Sequence, residues 1–374
     1  MSSQIQIYLS NSNNFYTPGQ EVTGRVECNF ANEATINAVL VIFDGRCSTS
    51  WIMSQRHRNN MHSRTRMRHV SYTGEEIYFH QEINMMGMSN GSLRLQPGMH
   101  SYNFAFRLPE QLPSSHESQT GCGSIRYTIK GVLDKSSAFN NEAVVALNVI
   151  SPLDLNYVPR MREPVEMSVD TVLCSCFCGN NGPLTFKFTL PTTGYVPGQD
   201  VKVGAYVQNL TSTTAQSVKF KIKKTTEYIC ELPRRLTKYE KEDIAFQTFD
   251  GIDAHSEKTW TASLRLPDTI LYPNMVPCNL INVTYILKGE VVLPCPHTNL
   301  TAFVPLMIGN VQIRDMEFNS LGPPPLGTSN VSTPNYGLLG SLSGPSNYGE
   351  KNSLPSAPEL LPPSYEEAQQ PQKF

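Results

Sequence analysis

The residues with the most specific recognition chemistry are two short proline motifs near the C-terminal end of the 374-residue sequence. Pro362-Pro363-Ser364-Tyr365 is a PPxY tetrapeptide. Consecutive prolines favour a polyproline II backbone, preformed at little entropic cost, and the aromatic-lined grooves of WW domains accept it. Tyr365 would fill the neighbouring pocket, and Glu366 and Glu367 could face basic residues on the partner. Just upstream, Pro355-Ser356-Ala357-Pro358 matches the PSAP motif that docks on the early sorting complex of the ESCRT pathway. Only Glu359-Leu360-Leu361 separates the two motifs. Two folded partners bound there at once would crowd each other, so competition between them is expected.

Three other clusters carry chemistry. Between Ser54 and Val70 the chain places Arg56, Arg58, Arg64, Arg66 and Arg68 with three histidines and no acidic residue. This reads either as a solvated loop or as a mobile basic loop for anionic lipid or a phosphorylated cargo tail, where charge attraction and bidentate guanidinium–phosphate geometry would supply affinity. Lys219, Lys221 and Lys223 alternate with Val218, Phe220 and Ile222, and Lys224 follows. That is the outer face of a sheet, either solvated or a patch for lipid or an acidic partner, and basic edges also discourage strand-to-strand association. Cys174, Cys176 and Cys178 would share one face of a strand. A zinc site needs about four nitrogen or sulfur ligands, and Cys295-Pro-His297 is the only evident further source, so structural thiols are the expected reading and no metal or cofactor is assigned. No phosphate-cradling Gly loop, His-Glu-x-x-His, nucleophile elbow or Cys-x-x-Cys occurs, and the chain is not expected to be an enzyme.

These groups are positioned by strands. Ile5, Ile7 and Leu9 alternate with polar residues, as do Leu184, Phe186, Phe188 and Leu190. Period-two alternation buries one face and wets the other, as in antiparallel sheets. Pro and Gly recur between the runs as turn formers. No run approaches about 18 apolar residues, the start carries no signal-peptide or myristoylation pattern, and the net charge of −2 gives no field to draw nucleic acid. A cytosolic protein with its nine cysteines as thiols is expected.

The chain also repeats itself. Phe15-Tyr16-Thr17-Pro18-Gly19-Gln20 matches Gly194-Tyr195-Val196-Pro197-Gly198-Gln199. Arg107-Leu108-Pro109 matches Arg265-Leu266-Pro267, and Tyr127-Thr-Ile-Lys-Gly131 matches Tyr285-Ile-Leu-Lys-Gly289. Pro109 precedes Tyr127 by 18 positions and Pro267 precedes Tyr285 by 18. The first copy carries about 21 more residues in its front part, since Pro18 to Pro109 spans 91 and Pro197 to Pro267 spans 70. A repeat this long means duplicated domains. Each half offers roughly seven short strands, the pattern of an immunoglobulin-like β-sandwich. The Pro-Gly pairs fit a type II turn, with Gly supplying the positive φ. The expected organisation is residues 1–160, 161–315 and a tail over 316–374. The tail has 25 Pro, Gly or Ser among its 59 residues, too little apolar surface to offset its ordering entropy, so disorder is expected there.

Two tandem sandwiches, the paired YxPGQxV turns, the RLP and YxxKG repeats, the Cys174–Cys178 run and the PPxY tail resemble the arrestin-domain-containing proteins, the α-arrestins. The resemblance covers about residues 4–315 and 355–367. It implies an adaptor recruited from cytoplasm to plasma membrane and endosomes. The arrestin domains would engage a receptor or transporter cargo, and Pro362, Pro363 and Tyr365 would recruit NEDD4-class HECT ubiquitin ligases through their WW domains, leading to ubiquitination, endocytosis and sorting. Pro355–Pro358 would connect to ESCRT-I and vesicle budding. A relative that forms a mixed disulfide with thioredoxin makes a redox regulator a third alternative, with no residue here matched to that role. Many relatives carry two PPxY motifs and this chain has one, because Pro334-Asn-Tyr336 and Pro345-Ser-Asn-Tyr348 lack the proline pair. From Met316 to Pro362 is 46 residues, a tether of roughly 40 Å on average and up to about 150 Å.

Overall fold

The two Pro-Gly turns close as type II turns and show why the repeated motifs travel together. Gly19 and Gly198 hold φ of 79° and 81°, a region that glycine enters without steric cost. In each turn the Gln N–H reaches back to the residue before Pro, Thr17 O at 3.1 Å and Val196 O at 3.2 Å. The Gln side chain then accepts from that same residue's N–H, at 3.0 Å for Gln20 and 2.9 Å for Gln199. Leu108 N–H donates to Gln20 O at 3.0 Å and Leu266 N–H to Gln199 O at 2.9 Å. The YxPGQ turn and the RLP segment are therefore one structural unit, formed twice.

This computed structural model describes residues 4–58, 65–87, 91–135, 141–173, 182–269 and 271–311. The first half contains β1 (Gln4–Leu9), β2 (Phe15–Tyr16), β3 (Glu21–Phe30), β4 (Ala34–Ile36), β5 (Ala38–Arg58), β6 (Thr65–Gly87), β7 (Leu93–Leu95), β8 (Gly98–Arg107), β9 (His116–Glu117), β10 (Gly123–Asp134) and β11 (Asn141–Val149). The second contains β12 (Val165–Val172), β13 (Pro183–Leu190), β14 (Gly194–Tyr195), β15 (Asp200–Asn209), β16 (Ala215–Cys230), β17 (Leu236–Ile252), β18 (Ser256–Arg265), β19 (Ile281–Val292) and β20 (Leu300–Ile308). Two short 3-10 turns, Leu155–Tyr157 and Pro159–Arg162, join the halves. No α-helix occurs among the described residues.

Each half is a two-sheet sandwich. In the first, β1-β3-β8 lies over β2-β11-β10-β5-β6, with β9 added to β10 and a small β4-β7 ribbon. In the second, β12-β13-β15-β18 lies over β14-β20-β19-β16-β17. Even the one parallel step is duplicated, Tyr16 beside Val149 and Tyr195 beside Ile308. The alternation expected from sequence is present: Val201, Val203, Ala205 and Val207 of β15 are buried while their neighbours face out. The strands are more numerous and some far longer than seven short strands per half. The β5–β6 hairpin has arms of 21 and 23 residues against 16 and 17 in β16–β17. Its extra length, with the β4-β7 ribbon, holds the surplus of the first copy.

The Tyr-x-x-Lys-Gly repeat also has a packing reason. Lys130 pairs with Glu142 at 2.8 Å and Lys288 with Glu290 at 3.0 Å, both on the outer face. Inside, a Cβ on Gly289 would stand 2.9 Å from the rings of Phe186 and Phe188, so the opposite sheet needs a bare backbone there.

Candidate functional site

The seam between the sandwiches gathers several buried polar and thiol groups, among them Thr49, Ser114, Ser118 and Cys230. It forms because β16 outruns its partner. β19 pairs with it only as far as Tyr228, opposite Ile281, yet the strand continues to Cys230 with Tyr228, Ile229 and Cys230 all buried. Three buried residues in succession mean both strand faces are covered. One covering is the first sandwich, whose core cluster takes in Tyr228, Cys230, Met275, Leu280 and Ile281. A Cβ on Gly123 would meet Tyr228 at 2.9 Å and Thr49 at 3.0 Å, so glycine permits that approach.

Backbone and side-chain bonds fasten the seam. Leu232 N–H donates to Thr73 O, and Thr73 N–H returns to Leu232 O, each at 3.0 Å. Thr49 Oγ1 donates to Ile229 O at 2.6 Å. Asn279 donates twice to Glu76, from N at 3.0 Å and from Nδ2 at 3.1 Å. Ser114 N–H donates to Asn274 O at 2.8 Å. Lys238 stands 5.1 Å over the Trp51 ring.

At its centre is Glu240 of β17. Its carboxylate accepts from Ser118 Oγ at 2.6 Å, from Thr120 N–H at 3.1 Å, from the Thr120 hydroxyl, and from Tyr228 OH at 2.8 Å. Burial alone raises its pKa, but the bonds from Ser118, Thr120 and Tyr228 outweigh that and hold the carboxyl at about 2. His116 Nε2 lies 2.9 Å from Tyr228 OH, and burial lowers the pKa of this imidazole. Both groups retain their neutral-pH charge state, Glu240 ionised and His116 neutral. A half-open cavity of about 410 Å³ lies beside His116, lined by Phe15, Tyr127, Leu147 and Leu271 among others. The chemistry of this arrangement is that of a clasp between two domains.

Four of the six described cysteines, all unpaired thiols, lie at this seam. Cys122 is 3.1 Å from Thr120 Oγ1, and Cys230 is 3.5 Å from Thr49 Oγ1. Cys47 belongs to the first sandwich's core cluster and Cys278 packs against that cluster.

The residues expected from sequence to carry function are dispersed. The structure places most of the arginine-rich segment in strands, where a mobile loop was expected: Arg56 and Arg58 end β5, Arg66 and Arg68 begin β6, and the register sets Arg56 opposite Met67 and Arg68 opposite Gln55. The hairpin simply continues its ladder outward through these positions. Arg68 is exposed beside the exposed Met67, and Arg64 lies outside the described residues. Lys219, Lys221 and Lys223 are on the outer side of β16 as expected, whereas Lys224 lies on the opposite face near His116 and Glu240, and β16 is an interior strand between β19 and β17 and guards no edge. Lys221 pairs with Asp243 at 2.7 Å, Lys223 with the same Asp243 at 3.4 Å and Lys224 with Glu242 at 3.8 Å, so two carboxylates offset about half of the expected charge. Cys174, Cys176 and Cys178 lie outside the described residues, as do Pro355–Pro358, Pro362, Pro363 and Tyr365. Among the described residues no group of three or more His, Cys, Asp or Glu is placed to hold a metal, and no helix is long and apolar enough to cross a membrane. Sequence reasoning missed Glu240, which sits in a charged run from Lys238 to Asp243 and looks like its solvated neighbours. Tyr228-Ile229-Cys230 did carry a signal, an apolar triplet that breaks the alternation.

Comparison with known proteins agrees with this architecture. Residues 5–156 match the family described as "Arrestin (or S-antigen), N-terminal domain", and residues 180–313 match "Arrestin (or S-antigen), C-terminal domain". The chain is 26% identical to Arrestin domain-containing protein 17 of Caenorhabditis elegans, over 82% of this chain and 70% of that one. It is 24% identical to mouse Arrestin domain-containing protein 4, over 82% and 71%, and 24% identical to rat Arrestin domain-containing protein 1, over 83% and 65%. Two duplicated sandwiches, the turn–RLP units that repeat within them and matches to both arrestin domains in order make this chain a member of the arrestin-domain-containing, or α-arrestin, family.

Proposed function

We propose that this chain is an arrestin-family adaptor that brings a WW-domain HECT ubiquitin ligase to a membrane receptor or transporter, promoting its ubiquitination and endocytic sorting. The observation that carries the reading is Pro362-Pro363-Ser364-Tyr365 following two arrestin domains in one chain. The mechanism is proximity. The sandwiches engage cargo, the motif engages the ligase, and the 46 residues from Met316 to Pro362 give the reach to bring one to the other. The adaptor transfers nothing itself and acts at the cytoplasmic face of plasma membrane and endosomes. Full-length protein and its Tyr365→Ala variant, used as baits for a HECT ligase with tandem WW domains, test this. Capture falls at least tenfold in the variant; undiminished capture removes the motif from the mechanism.

Pro355-Ser356-Ala357-Pro358 supports a second reading, a vesicle-budding scaffold that engages ESCRT-I. Double substitution of Pro355 and Pro358 by Ala lowers the count of released vesicles if that reading holds. Dependence on Tyr365 alone removes it. Exposed Arg68 and Met67 at the outer part of the β5–β6 hairpin support contact of that end with anionic lipid or phosphorylated cargo. Binding of the full chain to vesicles containing phosphatidylserine, unchanged by Arg68→Glu, would count against the lipid form of this contact.

A further inference from the structure

The two halves of the seam each bring a thiol to the same place. Cys47 is fully buried in the middle of β5, where it lies opposite Glu76 of β6 and Ile125 of β10. Cys278 is half-buried in the segment leading into β19. It is held there by its own N–H to Met275 O at 2.6 Å and by Ile281 N–H, which donates to its sulfur at 3.3 Å. The next residue, Asn279, is gripped twice by Glu76, the direct cross-strand neighbour of Cys47. The clamp that fastens the sandwiches thus also brings the two cysteines to the same part of the first sandwich's core.

We propose that Cys47 and Cys278 are a modification site: a hydroperoxide converts them to a reversible disulfide that staples the first sandwich to the second. The Cys278 thiolate attacks a peroxide oxygen. The O–O bond breaks, leaving a sulfenic acid on Cys278 and one water once the departing oxygen is protonated. Cys47 then gives up its proton and its sulfur attacks that of Cys278; the S–O bond breaks and a second water leaves. Two thiols lose two electrons in total and hydrogen peroxide becomes two waters. A dithiol reductant reverses the bond by exchange. The roles follow from the surroundings. Cys278 is half-buried, within reach of a peroxide, and its sulfur accepts from the Ile281 N–H at 3.3 Å, which favours its thiolate. Cys47 is fully buried, which disfavours its thiolate and shields it from the oxidant. Cys278 therefore supplies the thiolate and Cys47 resolves. The other two seam thiols are less suited, because Thr49 Oγ1 stands against Cys230 and Thr120 Oγ1 against Cys122. The staple would fix the orientation of the sandwiches through chain positions far apart, whatever the tail binds.

Full-length protein is titrated with hydrogen peroxide, alkylated, digested without reduction and mapped by mass spectrometry. The expected product is a linked peptide pair holding Cys47 and Cys278. It disappears with dithiothreitol and is absent in Cys278→Ala, but is retained in Cys122→Ala and in Cys295→Ala. Oxidation also raises the thermal unfolding midpoint of the wild type and not of Cys278→Ala, a variant at a half-buried position that keeps the test usable if Cys47→Ala fails to fold. Three results overturn the proposal: both thiols staying open to alkylation at a peroxide dose that oxidises exposed Cys295, Cys278 linked to any other cysteine, or Cys278 stopping at sulfinic acid.

Discussion

Replacing Glu240 with Gln tests the clasp most directly, because Gln is close to the protonated carboxyl in shape. A carboxyl whose pKa moves from 4.5 to about 2 on folding favours the folded state by roughly 3 kcal/mol at neutral pH, at about 1.4 kcal/mol for each tenfold change in proton affinity. Glu240 is only half-buried, so solvent screening reduces the expected loss to about 2 kcal/mol. The sign is fixed by linkage. A depressed folded-state pKa contributes stability that is fully present above pH 4.5 and is lost as pH falls toward 2. At pH 3 about two-fifths of the effect remains, and at pH 2 it is nearly gone. Urea unfolding of wild type and Glu240→Gln, followed by tryptophan fluorescence at several pH values, reads the difference; Trp51 lies at the seam and Trp260 in the second sandwich. A deficit of about 2 kcal/mol at pH 7 that shrinks by more than half at pH 3 is expected. An equal deficit at both values would mean that the variant acts by packing alone. A deficit under about 0.5 kcal/mol at pH 7 would mean that the four hydrogen bonds to Glu240 do no more than water does for the unfolded carboxylate. Ser118→Ala in a double-mutant cycle should show coupling, since Ser118 Oγ loses its meaning once the charge is gone.

Gly289→Ala should destabilise the second sandwich by about 1–3 kcal/mol, because the new methyl group collides with the Phe186 and Phe188 rings from 2.9 Å; a wild-type urea midpoint would refute the packing account of the Lys-Gly repeat. Phosphorylation of Tyr365 should weaken WW-domain binding, because a nearly doubly charged group would enter an aromatic pocket; a calorimetric titration with the phosphopeptide showing equal or tighter binding would refute it.

The duplicated sandwich was legible in the sequence because its determinants are local. Pro-Gly followed by Gln contains its own turn, its own positive-φ residue and the side chain that closes it. Alternation in β13 and β15 marks which face is buried wherever one face is wet. The proposed docking motifs rest on the sequence alone, since a PPxY segment is four consecutive residues. Strand lengths were less so. The basic segment reads as a loop because charge and histidine accompany solvent exposure, yet a hairpin ladder needs only backbone partners, and β5 and β6 supply them through Arg58 and Thr65.

The seam was decided only in three dimensions. Glu240 lies 120 positions from Thr120, Cys230 lies 181 from Thr49, and Glu76 lies 203 from Asn279, and no local pattern connects residues at such separations. The alternating lysines of β16 make the same point in reverse: their spacing announces an outer face correctly, but only the register with β17 shows that Asp243 sits between Lys221 and Lys223. By itself the sequence determined two sandwiches and their turns, because period-two burial and turn chemistry act over a few residues. The tertiary structure alone decided which carboxylate, which thiols and which glycine meet between the sandwiches, because burial, desolvation and hydrogen bonding there depend on what the other domain brings.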